Sequence, residues 1–100
     1  MPSERHGGIY AGGMARFLVL VETRLHEGIA DPEGATIERS LPALGFDDVS
    51  GVRVGKAFRF IVESNDENAA RAEVEDMCTR FLTNPVLENA AISIEPGGGA

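Results

Sequence analysis

Arg16-Phe17-Leu18-Val19-Leu20-Val21-Glu22 is the stretch on which the fold of this chain turns. It is β-branched and aromatic and too short for an independent helix, which predicts a strand. Both parities are apolar, with Phe17, Val19 and Val21 on one side and Leu18 and Leu20 on the other. Such a strand sits inside a sheet, with apolar material on both faces.

Working outward, a polar connection through Thr23-Arg24-Leu25-His26-Glu27-Gly28 leads to a helix start at Asp31-Pro32-Glu33. Asp31 is the expected N-cap, and Pro32 suits the first helical position, where its missing N–H leaves nothing unsatisfied. Ile37, Leu41 and Leu44 recur at helical spacing and Gly45 closes the element, while Pro42 removes one ladder bond and predicts a kink. Val49–Lys56 and Ala57–Glu63 read as two further strands, with Gly55-Lys56 as the tight turn between them. Ser64-Asn65-Asp66-Glu67 has the spacing of a capping box. Behind it runs a helix with the apolar stripe Ala70, Val74, Met77, Cys78, Phe81 and Leu82, stopped by Asn84-Pro85. Ile92 and Ile94 mark a last short strand.

The resulting order, βαββαβ, has a preferred solution. Two split βαβ units give an α+β, two-layer ferredoxin-like sandwich: a four-stranded antiparallel sheet with two helices on one face. Two helices leave the other face bare. Leu18, Leu20 and Ile61 would lie there among Arg59 and Glu63, and such a patch predicts self-association.

The flanks differ in composition. Residues 1–13 hold four glycines and read as a flexible extension: an expression scar, an upstream start codon and a native arm are the alternatives. Residues 96–100 read as a glycine-rich tail, which leaves 14–95 as the folded domain.

Across 100 residues, 9 Lys and Arg face 16 Asp and Glu, a net charge of −7. That balance argues against nucleic acid and anionic membrane surfaces as partners, since both require clustered cations. One cysteine forms no internal disulfide and leaves a zinc site short of soft ligands. The longest apolar run, Phe17–Val21, falls far below the roughly 20 residues of a membrane span. A soluble cytoplasmic domain is the expectation.

The chemistry-bearing residues are few. His6 and His26 lack an orienting partner at a recognisable spacing and read as surface residues. Cys78 falls on the apolar stripe and reads as a structural thiol. Gly51-Val52-Arg53-Val54-Gly55-Lys56 is no Walker loop, because Ala57 replaces the Ser or Thr and a strand follows. Arg53 and Lys56, with Arg59, concentrate positive charge in an acidic chain; contact with an acidic partner and a solvated face both fit. The amides at Asp31–Gly34 could hold an anion, but Asp31 as cap already occupies that place. The acidic face of the second helix reads as solvated. No catalytic set, metal site or bound cofactor emerges.

Three segments in register carry a resemblance. Asp31-Pro32-Glu33-Gly34-Ala35-Thr36-Ile37 resembles a D-P-x-G-x-x-I/V helix start, Val52-Arg53-Val54-Gly55-Lys56 a V-R-V/I-G-K hairpin, and Met77–Glu88 an M-C-x-x-L/F-L-x-N-P-V-I/L-E helix end. Together they resemble the PurS family, the small subunit of the multi-subunit phosphoribosylformylglycinamidine (FGAM) synthase, with Glu33 standing where Gln is usual. The resemblance implies a ligase complex of purine biosynthesis in which ATP, Mg and glutamine are used by the complex and no cofactor is bound by this chain. It implies an adaptor without catalytic residues, bridging the glutaminase and synthetase subunits, supporting ammonia transfer and forming a homodimer or homotetramer. The interface candidates that follow are Asp31, Pro32, Gly34, Arg53, Gly55, Lys56, Asn84 and Pro85. Two rivals share the element order. One is an ACT-like domain that senses a small molecule. The other is an acylphosphatase-like enzyme, of whose arginine cradle Arg24 and Gly28 are a thin echo.

Overall fold

The structure, a computed structural model, describes residues 9–10 and 14–97. Its elements are β1 (Ile9–Tyr10), β2 (Met14–Leu25), α1 (Pro32–Ser40), a 3-10 turn (Pro42–Leu44), β3 (Gly55–Ser64), α2 (Glu67–Met77) with a π-helical end (Cys78–Leu82), and β4 (Glu88–Pro96). The fold is α+β, with two helices and an antiparallel sheet.

The stretch around Val19 is the spine. β2 is central and pairs antiparallel with β3 on one side and β4 on the other, so that Val19 lies between Phe60 and Ile94. Since β3 and β4 both oppose β2, they run parallel to each other, and α2 is the crossover between them. β2 is thus inserted into a split β-α-β unit. Ala15 pairs with both Ser64 and Ile9, which places β1 on the β4 side of β2. The domain expected at 14–95 therefore gains pairing at both ends: β1 precedes it, and Pro96 still pairs with Phe17. The rest of the expected extension, His6 included, and residues 98–100 of the expected tail lie outside the described residues.

Strand alternation decides what is buried. Phe17, Val19, Val21 and Val62 point to one face, where Ala70, Val74 and Cys78 of the second helix close over them. Val19, Val21 and Val74 are fully buried, and each such side chain contributes about 1.5–3 kcal/mol of apolar burial. On the opposite face, Leu18 and Ile61 stay exposed, at 41% and 39%.

Four expectations are corrected. First, Val49–Val54 is not a strand, so Gly55-Lys56 is no hairpin turn but the start of β3, and the sheet has three long strands plus the short β1. The amides of Val52 and Val54 are taken by the side chains of Glu38 and Asp31, and a backbone whose donors are already satisfied does not seek a ladder. Second, α1 adds no side chain to the core: only Gly34 is buried, while Ile37, Leu44 and Phe46 are exposed. Third, α2 is capped by Asp66, whose Oδ1 accepts from Ala69 N at 2.8 Å; Ser64 instead ends β3 with its side chain buried. Fourth, Phe81 leaves the apolar stripe and is 85% exposed. Pro42 does end the regular helix, after Ser40, and Gly45 closes the 3-10 turn at φ +97°.

Candidate functional site

The residues singled out in the sequence converge on one end of the sheet, where three loops are tied by polar bonds. Asp31 is the centre of the first tie. Its Oδ1 accepts from Gly34 N at 2.9 Å, capping α1, and its Oδ2 accepts from Val54 N at 2.8 Å, across 23 residues. The Gly34 and Val54 amides hold this carboxyl below the ordinary aspartate range, with the nearby Arg53 charge adding to the effect. Glu38, one α1 turn further on, accepts from Val52 N at 3.0 Å. The 52–54 segment is thereby stapled along the helix start.

Gly34 is where these backbones come closest. A Cβ built there would meet Val52 O within the 3.0 Å that real Cβ atoms avoid, and Asp31 Oδ2 at 2.9 Å. Gly55 is a second such point, where a Cβ would run into Thr23 O of the neighbouring strand. Both glycines of the recognised motifs are thus required by close approach at ordinary φ.

Arg53 is the second tie. Its Nη2 donates to His26 O at 3.3 Å and to Ile29 O at 3.1 Å, closing the loop that leads into α1. His26 continues the chain of contacts, with Nε2 3.0 Å from Pro85 O and its amide donating to Leu87 O at 2.8 Å. The turn at Asn84 is the third tie: Asn84 Oδ1 accepts from Val86 N, Asn84 O from Leu87 N and Glu88 N, and Glu88 Oε1 from Asn84 N. Pro32 occupies the first turn of α1, and Pro85 presents its carbonyl to His26. Lys56 is exposed, with Nζ 6.0 Å from the Phe58 ring centroid.

Five of the eight candidates, Asp31, Gly34, Arg53, Asn84 and Pro85, join this hydrogen-bond network; Pro32 and Gly55 are fixed beside it by the helix start and the close approach to Thr23 O, and Lys56 projects at its edge. Sequence spacing does not show these bonds, since Asp31–Val54 and Arg53–His26 join positions more than 20 residues apart.

Little here is suited to chemistry on a substrate. His26 and Cys78 line one shallow groove of about 520 Å³, but the imidazole is committed to Pro85 O and no hydrogen bond joins it to the thiol. Burial pushes the Cys78 thiol up, with the Glu75 charge adding to it, the reverse of what a nucleophile needs. Among the described residues, no group of three His, Cys, Asp or Glu is placed to hold a metal ion, and no helix is long and apolar enough to cross a membrane.

What the chain does present is surface. On the bare sheet face Leu18 and Leu20 line a groove of about 350 Å³ with Arg59, Ser93 and Glu95. Leu18 lies between Ile61 and Glu95, and Leu20 between Arg59 and Ser93, so apolar side chains are flanked by both signs of charge. A face of that composition can bind its own kind.

Comparison with known proteins gives one answer. Residues 18–96 match the family model PurS, described as phosphoribosylformylglycinamidine (FGAM) synthase. The PurS subunit of that synthase from Methanocaldococcus jannaschii is 40% identical over 72 residues, 72% of this chain and 87% of the relative. The counterpart from Methanothermobacter thermautotrophicus is 40% identical over 79 residues, 79% of this chain and 93% of the relative. Among solved structures, PurLQS from Thermotoga maritima contains a chain that superposes with TM-score 0.75 at 29% identity, covering 80% of this chain and 98% of that one.

Proposed function

The chain belongs to the PurS family, the PurS subunit of FGAM synthase in purine biosynthesis, and we propose that within that enzyme it is a non-catalytic adaptor. In this reading it bridges the glutaminase and the ATP-dependent synthetase subunits and supports the passage of ammonia between them. The complex, a C–N ligase working in the cytoplasm, uses ATP, Mg and glutamine, and this chain binds no cofactor. The T. maritima PurLQS structure, in which the related chain is part of a larger assembly, supports the reading.

The observation that carries the proposal is the contrast between a tied interior and an open exterior. Asp31, Arg53 and Asn84 bond to backbone of their own chain, whereas Leu18, Leu20 and Ile61 sit on a sheet face that no element among the described residues covers. An adaptor needs a rigid frame and uncovered surface; an active site needs reactive groups free to meet a substrate. We assign the bare sheet face to association of the chain with itself, as a homodimer or homotetramer. Of the eight interface candidates, Lys56 is proposed as a direct contact. Asp31, Pro32, Gly34, Arg53, Gly55, Asn84 and Pro85 shape the loops that a partner subunit meets.

Reconstitution tests this. Glutamine-dependent and ammonia-dependent synthesis are measured with the glutaminase and synthetase subunits, with and without this chain. Loss of the glutamine-dependent rate alone on omission is the expected result; unchanged rates would remove the adaptor.

A further inference from the structure

Phe81 is the anomaly of the second helix. It follows Val74 by seven residues, and two turns of regular α-helix return to within about 20° of the same direction. An unbroken helix would therefore turn Phe81 toward the sheet beside Val74 and Cys78, which are buried. The chain winds otherwise. Over Cys78–Leu82 the helix is π, closed by Thr83 N donating to Cys78 O at 3.0 Å, with Thr83 Oγ1 on the same carbonyl at 2.9 Å. A five-residue hydrogen-bond step advances less per residue around the axis. Phe81 lags off the stripe and Leu82 packs against the core in its place, leaving the larger side chain 85% exposed. A helix that turns its one aromatic residue outward forgoes a large apolar gain, and π turns of this kind are frequent at functional sites.

The surroundings of the ring define what it can meet. Phe81 lines a groove of about 460 Å³ with Glu73, Asp76, Met77 and Arg80. Arg80 is taken by Asp76 at 3.1 Å, which leaves Glu73 as the uncompensated charge on the rim. Over residues 67–82 four acids face two arginines. Five residues beyond the ring, Val86 is 79% exposed on the turn pinned by Asn84 and Glu88, so the apolar surface at this end of the helix stands on a fixed support.

We infer that Phe81 is the anchor of a protein docking site at the C-terminal end of α2, and that its occupant is a different polypeptide offering an apolar pocket rimmed by lysine or arginine. This rests on the adaptor reading, within which that polypeptide is a subunit of the synthase. A rigid, exposed aromatic side chain is the kind of residue that dominates interfaces. The charge pattern selects the partner, since an acidic rim favours a basic one. A symmetric pairing of two copies through this groove would set Glu73 near Glu73, which like-charge repulsion opposes. An anionic membrane is opposed by the same acids.

The test compares Phe81→Ser, Phe81→Leu and Glu73→Lys with the unchanged full-length chain, measuring affinity for the purified glutaminase and synthetase subunits separately by calorimetry. Helical content and sedimentation of the free chain are followed in parallel. Phe81→Ser is expected to weaken binding to one of the two subunits by at least about 30-fold, the size of an interface hot spot. Fold and self-association should be unchanged, and Phe81→Leu should restore most of the affinity. Glu73→Lys should weaken binding several-fold and reduce its salt dependence. Unchanged affinity for both subunits in a folded Phe81→Ser chain would overturn the inference and leave the adaptor standing. A shift confined to self-association would overturn it in favour of a second copy. If the unchanged chain binds neither subunit, it is the adaptor reading that falls, and this docking site with it.

Discussion

Gly34→Ala is the sharpest probe of the frame that joins α1 to the 52–54 segment. The added methyl would press on Val52 O within the 3.0 Å limit and stand 2.9 Å from Asp31 Oδ2. Neither neighbour yields cheaply. Val52 O is backbone, in a segment held on either side by Glu38 at 3.0 Å and Asp31 at 2.8 Å, while Asp31 also holds the amide of residue 34 itself. Forcing a methyl into a filled site costs about 1–3 kcal/mol. Alanine in place of glycine returns up to about 1 kcal/mol of helix propensity, so the net loss should be about 1–2 kcal/mol. Urea unfolding followed by far-UV dichroism measures it, at fixed chain concentration because association shifts apparent stability. With a urea slope of about 1–2 kcal/mol per M for a domain this small, the midpoint should fall by about 1 M. Gly45→Ala is a control with a different mechanism, since residue 45 has φ +97° and open space around it, and it should cost about 1 kcal/mol through backbone strain alone. A Gly34→Ala midpoint equal to or above that of the unchanged chain would refute the reasoning, because it would mean that 52–54 moves aside freely.

Three further outcomes follow from single residues. Thr23 is 3% exposed and its Oγ1 has no hydrogen-bond partner, so Thr23→Val, which keeps the shape and removes the orphan hydroxyl, should leave the melting temperature unchanged or raise it; a clear fall would reveal an unseen partner. Because the Asp31 pKa is depressed in the folded state, its stabilisation is present above the unfolded value near 3.9 and lost as pH falls through the folded value; the melting-temperature gap between the unchanged chain and Asp31→Asn should be full at pH 6 and close below about pH 4, and a gap independent of pH would contradict the capping role. Cys78, buried and with its thiol pushed up, should react with a disulfide reagent at pH 8 only slowly in the native state and at once in urea; rapid native labelling would show that α2 lifts readily from the sheet.

The parts of the fold that were legible in the sequence are those whose periodicity and partners lie within one element. The alternation of Phe17, Val19 and Val21 named the buried face of β2, and Ala70, Val74 and Cys78 named the inner stripe of α2. What was not legible depended on distant side chains competing for backbone groups. Val49–Val54 has the composition of a strand, yet Glu38 and Asp31, 14 and 23 residues away from the amides they accept, replace the ladder. Phe81 sits at helical spacing, and only a change in helix winding removes it from the core. Asp66 rather than Ser64 caps α2 because Ser64 is still part of β3, paired with Ala15. The candidate site divides in the same manner. Arg53, whose sequence position suggests contact with an acidic partner or a solvated face, is held by the carbonyls of His26 and Ile29.

Ile37, Leu41 and Leu44 make a regular apolar stripe, and a stripe in a sequence states only that something covers it. Ile37 and Leu44 are 39% and 71% exposed, and Phe46 beyond them 53%, although α1 is firmly capped by Asp31 and fixed to the 52–54 segment. A helix held in place with its apolar side uncovered is not a failed core helix. Its capping and stapling do not depend on burial, so the chain keeps it formed without a covered stripe. The bare sheet face and Phe81 repeat that arrangement with different secondary structure beneath them. On the adaptor reading proposed above, each purified subunit is expected to protect at least one of these three surfaces from solvent exchange, and protection of none of them would count against that reading.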